Sequence, residues 1–352
     1  MELYNNEQWL EDIDEVLDIM PELTDLAGSS VLVTGSTGLI CSALIEALAR
    51  WNDTHEKKIN ILAAGRNQAS SEARFASLID RKWFEIVSYD AVSEGLQEDV
   101  VCDYIIHGAG NASPNKIMTE PVETMVGNFM GTYCLLEYAK QHHVKRVLYI
   151  SSSEVYGRAS HNSPFDIDDY GYVDILQPRS SYALGKRATE TLCVSYGAEW
   201  GIDSVIVRPG HIYGPTAQAS DNRVSSMWAY AAARGENIIM KSDGEQIRSY
   251  CYVLDCVTAI LKVLLWGTPM QAYNVSNKQS VISIKELARI LAEVGRCSLR
   301  REMADVAEKK GFNPMQNSSL DASALYALGW RGLFDAKRGL LHTVEILRNL
   351  YQ

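Results

Sequence analysis

Apolar residues recur along the chain with two alternating periods. Short runs rich in β-branched residues, SVLVT (30–34), NILAAG (60–65), FEIVS (84–88), DYIIH (103–107), RVLYIS (146–151) and DSVIVR (203–208), alternate with segments of helical spacing over 38–50, 70–82, 121–142 and 181–200. Such alternation predicts βαβ units and an α/β fold whose doubly wound parallel sheet is covered on both faces. The pattern fades after Gly214-Pro215. Beyond it, helical stretches at 223–235, 255–266, 283–296 and 335–350, mixed with short strands NIIM and YCYV, predict a smaller α/β lobe interleaved with the first. Ahead of the first strand, Trp9, Leu10, Ile13, Val16, Leu17 and Met20 lie at helical spacing up to Pro21. They predict an amphipathic helix packed on the body or on a partner chain. The organisation expected is an extension over 1–28, a main domain over 29–215 and a second lobe over 216–352.

Composition narrows the class. At 352 residues and 47% hydrophobic the chain can bury a large core. With 33 Lys+Arg against 44 Asp+Glu, a net charge of -11 and no basic stripe, it lacks the electrostatic footprint of a nucleic-acid binder. The seven cysteines are scattered, form no CxxC pair and have no histidine at ligand spacing, so no metal site is expected. They read as buried thiols in a reducing cytoplasm. The N-terminus is acidic, and no apolar run approaches the ~20 residues that span a bilayer, so no membrane association is expected.

VLVTGSTGLICSALIEAL (31–48) reads as a strand, a Gly-rich turn and a helix. Gly35 and Gly38 let the turn close and let its backbone approach a pyrophosphate, whose charge the helix N-terminus favours. This is the sequence context of a Rossmann-type dinucleotide site, with Thr37, Leu39 and Ile40 beside the phosphates. Cys41 stands where a third glycine is expected, and is small enough for close packing. Where Asp or Glu usually meets the adenosine ribose, after the second strand, the chain has Arg66. A guanidinium there suits a 2′-phosphate, so NAD(P) is expected with a lean toward NADP. Asp90, after the third strand, could meet the adenine or cap the next helix.

SSYALGK (180–186) sets Tyr182 and Lys186 at i and i+4, on one face of the helix predicted for 181–200. An ammonium near the phenol should lower its pKa from ~10, so that Tyr182 can exchange a proton with a sugar hydroxyl. A Gly-rich first turn, a serine-rich strand end SSSEVYG (151–157) and then YxxxK follow in order. In that order the chain resembles the extended short-chain dehydrogenase/reductase family of nucleotide-sugar epimerases, dehydratases, decarboxylases and reductases. The resemblance covers roughly residues 29–300. It implies that Ser152 bonds the reacting hydroxyl, that Tyr182 is the acid/base, that Lys186 also holds the nicotinamide ribose, and that Asn128 stands behind that lysine. HGAG, with His107, Gly108 and Ala109, matches the fourth-strand loop at the cofactor. Ser113 and Pro114 in NASP, Ser153, His211 in RPGHIYGP, Arg223 and Arg248 match the substrate side, the two arginines as a diphosphate clamp. His211 replaces the usual asparagine. A nucleotide-sugar substrate and a homodimer through the helices at 121–142 and 181–200 follow from the same resemblance.

Glu154 separates the reactions. The 4,6-dehydratases carry an Asp-Glu pair after the hydroxyl residue, whereas this chain has Ser153-Glu154, and Ser153 is a poor general acid. The UDP-glucuronate decarboxylases resemble it more closely, through Ser-Glu-Val-Tyr-Gly, the Ala-Ser-Pro loop and RSSYALGKR (179–187). Glu154 would position the sugar, relay a proton to C5, or only cap the turn at EVYG. The expected function is a decarboxylase or dehydratase working through a C4-keto sugar. Its alternatives are a 4-epimerase, an NADPH-consuming reductase, and a non-catalytic dinucleotide sensor, which would have no need of an acid/base pair.

Overall fold

The computed structural model describes residues 3–92, 95–96, 99–303 and 315–350. Six strands run β1 (Ser30–Thr34), β2 (Asn60–Gly65), β3 (Phe84–Ser88), β4 (Tyr104–His107), β5 (Arg146–Ile150) and β6 (Ser204–Pro209). With Ala272–Val275 they form one seven-stranded sheet in the order β3-β2-β1-β4-β5-β6 and then that seventh strand. Every pair in it is parallel. This is the Rossmann-type order, with the reversal between β1 and β4.

Alternation within each strand sends neighbouring residues to opposite layers. Val31 and Val33 join the core beneath α2 (Leu39–Thr54), while Leu32 joins the core beneath the long helices Pro121–His142 and Ser180–Trp200. Both faces are buried, which is why the strands read as unbroken apolar runs. The helix expected over 70–82 is only α3 (Gln68–Arg74). Phe75 leaves it to set its ring 5.5 Å from that of Phe84 on β3.

The second lobe does not stand apart. The strand Ala272–Val275, from beyond residue 215, extends the main sheet at β6. The helix Val253–Trp266 packs on α2 and the same sheet. A separate sheet is built around Ile247–Tyr252, which pairs in parallel with His211–Tyr213 and antiparallel with Val281–Ser283.

The N-terminal helix, α1 (Glu7–Asp18), packs on the body of its own chain. Asn6 caps it by accepting from the Trp9 N–H. Trp9, Ile13, Val16 and Met20 are buried, and the Trp9 indole donates to Glu46 of α2 at 2.6 Å. Buried Asp12 accepts from the Tyr252 hydroxyl and lies 2.7 Å from His342 on the C-terminal helix Ala336–Asn349. One carboxylate thus fastens the N-terminal helix to two elements of the second lobe.

Candidate active site

The crevice opens at the C-terminal ends of β1 to β4. Gly35 has φ +71, and a Cβ there would lie 2.8 Å from the Gly108 carbonyl oxygen. Only glycine fits this approach between the first and fourth loops. Gly38 caps α2 with no side chain of its own, which leaves the helix N–H groups for an anion. A cradle that a Cβ would fill, at a helix N-terminus, suits a pyrophosphate. Cys41 is buried, and a Cβ on Gly108 would come within 2.4 Å of its sulfur. The glycine missing from α2 is therefore matched by one on the β4 loop.

A cavity of 290 Å³ continues from the turn, lined by Thr37, Arg66, Asp90, Gly108 and Ala109. Leu39 and Ile40 begin α2 outside its lining, and Leu39 is buried. His107 is also outside it, which corrects the expectation of a cofactor contact by its side chain. That ring is buried in the sheet, with Nδ1 2.7 Å from the Thr34 hydroxyl. Burial lowers its pKa to about 3, and Lys186 adds to the effect, so the ring is neutral. Asp90 accepts from the Val92 N–H at 3.0 Å, a local turn contact at the cavity wall. Arg66 is held by Glu123, Nη1 to Oε1 at 2.8 Å.

At the other end, β5 delivers its residues to opposite sides. Ser151 points inward and donates to Glu190 at 2.5 Å, where Arg208 also binds Glu190 through Nη2 at 2.7 Å. The acid and Arg208 are buried, so the strand end is fixed by charge-assisted bonds in a dry setting. Ser152 then lies beside Tyr182, where it favours the phenolate, and its hydroxyl accepts from the Glu154 N–H at 3.2 Å. The helix Ser180–Trp200 places Tyr182, Lys186 and Glu190 on one buried stripe.

The expected lowering of the phenol is overturned in the free chain. Burial raises the Tyr182 pKa to about 12, the Glu154 charge adds to the rise, and Ser152, Arg223 and Arg179 oppose it. Lys186 is 5% exposed and donates from Nζ to the Ile150 carbonyl at 2.8 Å, with the Tyr182 ring centre 5.8 Å away. Burial lowers the lysine itself to about 7, against the pull of Glu190. Spacing puts the pair on one face; desolvation decides their protonation. Asn128 does not bond that lysine. It donates to the Thr124 carbonyl at 2.7 Å and accepts from the Tyr149 hydroxyl at 3.4 Å, and the Tyr149 ring lies under the Lys186 ammonium at 4.5 Å.

Glu154 does not cap its turn with the carboxylate. Gly157 N–H is satisfied by the Glu154 backbone carbonyl, and the side chain forms a two-point pair with Arg179, at 2.8 and 3.0 Å. Ser153 opens the short 3-10 turn that carries it. The sequence places Arg179 within a motif without assigning it a role, and nothing in local spacing singles out Glu190 or Glu123.

The substrate side is only partly as expected. Ser113 donates to the Asn222 side chain at 3.3 Å, which ties the β4 loop to the second lobe, and Pro114 starts the helix Pro114–Thr119. Arg223 is already engaged, its Nε donating to Asp221 at 2.9 Å. Arg248 is 3% exposed, donates to the adjacent Ile247 carbonyl, and has no carboxylate partner among the described residues. Burial lowers its pKa from the usual arginine value. His211 is neutral, its pKa lowered to about 3 by burial and then by Arg248 and Arg223, and its buried Nδ1 has no partner among the described residues. Two cations and an unsatisfied ring nitrogen converge there, an arrangement fitted to an anion.

Residues 31–276 match the NAD dependent epimerase/dehydratase family. The chain belongs to that family. Among curated members, UDP-glucuronic acid decarboxylase 6 of Arabidopsis thaliana is 32% identical over 310 residues, 88% of this chain and 86% of its own length. UDP-glucuronic acid decarboxylase 1 of Xenopus tropicalis is 30% identical over 323 residues, 90% of this chain and 72% of its own. The solved UDP-glucose 4-epimerase of Thermotoga maritima, with UDP-glucose, superposes with a TM-score of 0.76, at 21% identity, over 92% of this chain and 100% of that one. The epimerase/dehydratase family is one of enzymes.

Proposed function

We propose that the chain binds NAD(P) and decarboxylates a nucleotide-linked uronic acid through a C4-keto sugar. Gly35, Thr37, Gly38, Gly108 and Ala109 would hold the dinucleotide, which supplies the hydride acceptor and donor at the Tyr182 end. A positively charged ring placed there favours the phenolate and counters the rise that burial imposes on Tyr182. Tyr182 then takes the proton of the C4 hydroxyl, Ser152 orients that hydroxyl, and Lys186 holds the ribose beside it. With C4 a ketone, the C5 carboxylate belongs to a β-keto acid and would leave as CO2 with no acid catalyst on the leaving group; its bond pair would pass into a C4–C5 enolate, which would take a proton at C5 from a water oriented by Glu154 before C4 is reduced again.

The observation that carries decarboxylation over dehydration is the two-point Arg179–Glu154 pair beside Tyr182. A dehydratase must protonate a departing hydroxyl. Here Ser153 is too weak an acid, and Glu154 is committed as a carboxylate to a guanidinium. The relatives that are UDP-glucuronic acid decarboxylases support the same reading. Arg248, Arg223 and His211 would take the diphosphate, with Arg223 exchanging Asp221 for it. Arg66 alone favours NADP, but its pair with Glu123 offsets that advantage.

A homodimer fits the exposed apolar residues Val122, Met125, Phe129, Met130 and Tyr133 on the helix Pro121–His142, with Val194 and Trp200 on the helix Ser180–Trp200. The seven free thiols suit a reducing cytoplasm. No helix among the described residues is long and apolar enough to cross a membrane, and no group of acids, histidines and cysteines there could hold a metal.

Incubation with a panel of nucleotide sugars, read by mass spectrometry, tests the reaction. A UDP-uronic acid should lose the mass of CO2 without net consumption of reduced nicotinamide. Loss of water from a neutral sugar, or a gain of two hydrogens, would replace this reading by dehydration or reduction.

A further inference from the structure

The ion pair between Arg66 and Glu123 has a position that neither residue's role in folding explains. Arg66 follows β2, and in this fold a dinucleotide whose pyrophosphate rests on the first turn lays its adenosine ribose toward the end of β2. Glu123 comes from the first turn of the helix Pro121–His142, on the opposite wall. Both line the cavity that starts at Gly35 and Gly38. Their side chains keep 51% and 36% of their surface, so the pair is not packed into a core and has little to contribute to stability. The acid that usually follows β2 is missing from the chain's sequence, yet an acid reaches the same end of the cavity from another element.

We propose that Glu123 is the residue that selects the cofactor, holding Arg66 and opposing a 2′-phosphate so that the chain prefers NAD. The proposal rests on the dinucleotide-binding part of the functional reading and is independent of which sugar is turned over. Three chemical facts support it. A carboxylate accepts hydrogen bonds and so suits a ribose 2′-hydroxyl, which can donate one. It repels a 2′-phosphate, which accepts only and carries up to two negative charges. And the guanidinium that would otherwise take such a phosphate two oxygens at a time already donates to Glu123. Glu123 thus supplies from across the cavity what the chain lacks after β2, and it turns Arg66 from a phosphate ligand into the group that holds the acid in place.

The test is binding of NAD+ and NADP+ to the full-length dimer or monomer as purified, stripped of endogenous dinucleotide, by calorimetry at low salt. Wild type should prefer NAD+. Glu123→Gln should raise NADP+ affinity relative to NAD+ at least tenfold, because it releases Arg66 and removes the repulsion together. Arg66→Gln in the Glu123→Gln background should cancel that gain. Arg66 is exposed and Glu123 half-buried, and a thermal melt within a few degrees of wild type confirms that each variant is folded. An unchanged NADP+/NAD+ ratio in Glu123→Gln, or a wild type that already prefers NADP+, overturns the proposal. A wild type that binds neither dinucleotide overturns the functional reading itself and this proposal with it.

Discussion

At the catalytic end of the crevice Tyr182 and Lys186 keep 7% and 5% of their surface, and Ser151, Glu190 and Arg208 brace the strand behind them. At the adenosine end the Arg66 and Glu123 side chains keep 51% and 36% and are held mainly by each other. The same charge chemistry therefore does different work at the two ends. Where water is excluded, a charge shifts its neighbours' protonation and is costly to leave alone. Where water enters, a charge mainly selects between ligands. Chemistry should be lost by changes at the first end, and preference by changes at the second.

Tyr182→Phe should show the largest effect. Removing the phenol set against Ser152 should cut turnover about 10²–10⁴-fold while dinucleotide binding stays intact. Single-turnover rates with a UDP-uronic acid check it, and full turnover by the folded variant would remove the acid/base role altogether. Arg208→Met comes next, and it acts on stability. It would leave the buried Glu190 carboxylate without its counter-charge, a change that typically costs about 3–5 kcal/mol. Urea unfolding reads it; a loss below ~1 kcal/mol would mean that Glu190 finds another partner.

The Arg179–Glu154 pair lies between those two regimes, half-buried at the rim of the catalytic end. Arg179→Met should lower kcat about 10²-fold by letting Glu154 leave its place beside Tyr182, with Arg179→Lys in between. The mass of the product should not change. A water-loss product from Arg179→Met would instead mean that Glu154 becomes a working acid once freed.

How much of the molecule is legible in its sequence follows from the same contrast. The sheet is legible because both faces of each strand are buried, so that Val31, Leu32 and Val33 are apolar in succession. The turn at Gly35 and the four-residue step from Tyr182 to Lys186 are legible because backbone geometry ties function to local spacing. Arg179 and Glu154 are 25 positions apart, and Arg66 and Glu123 57, joined only by the tertiary fold. No periodicity marks such pairs, and so Arg66 taken alone reads as a phosphate ligand. The direction in which the Tyr182 pKa moves is hidden for another reason: a nearby lysine is visible in a sequence, whereas the depth of burial that outweighs it is not. The short α3 escapes too, since Phe75 is apolar at a helical position but serves β3.

Lys186 offers the smallest effect and the sharpest test of burial. Its pKa is lowered from 10.5 to about 7 in the folded chain, chiefly by desolvation. Between pH 7 and 10.5 the unfolded chain therefore holds a proton at this site that the folded chain has lost. Stability should rise with pH across that window, and the slope vanishes below about pH 7, where both states are protonated. Other buried groups titrate as well, and the cysteine thiols that burial pushes up work in the opposite direction. Comparison with Lys186→Met cancels most of them. Between pH 7 and 9, on dinucleotide-free protein, wild type should gain ~2 kcal/mol relative to the variant, since a tenfold change in a protonation equilibrium is worth about 1.4 kcal/mol. Urea titrations at the two pH values measure it. Parallel pH dependences would mean that the ammonium stays charged in the folded chain, and that the catalytic end is wetter than its exposed surface implies.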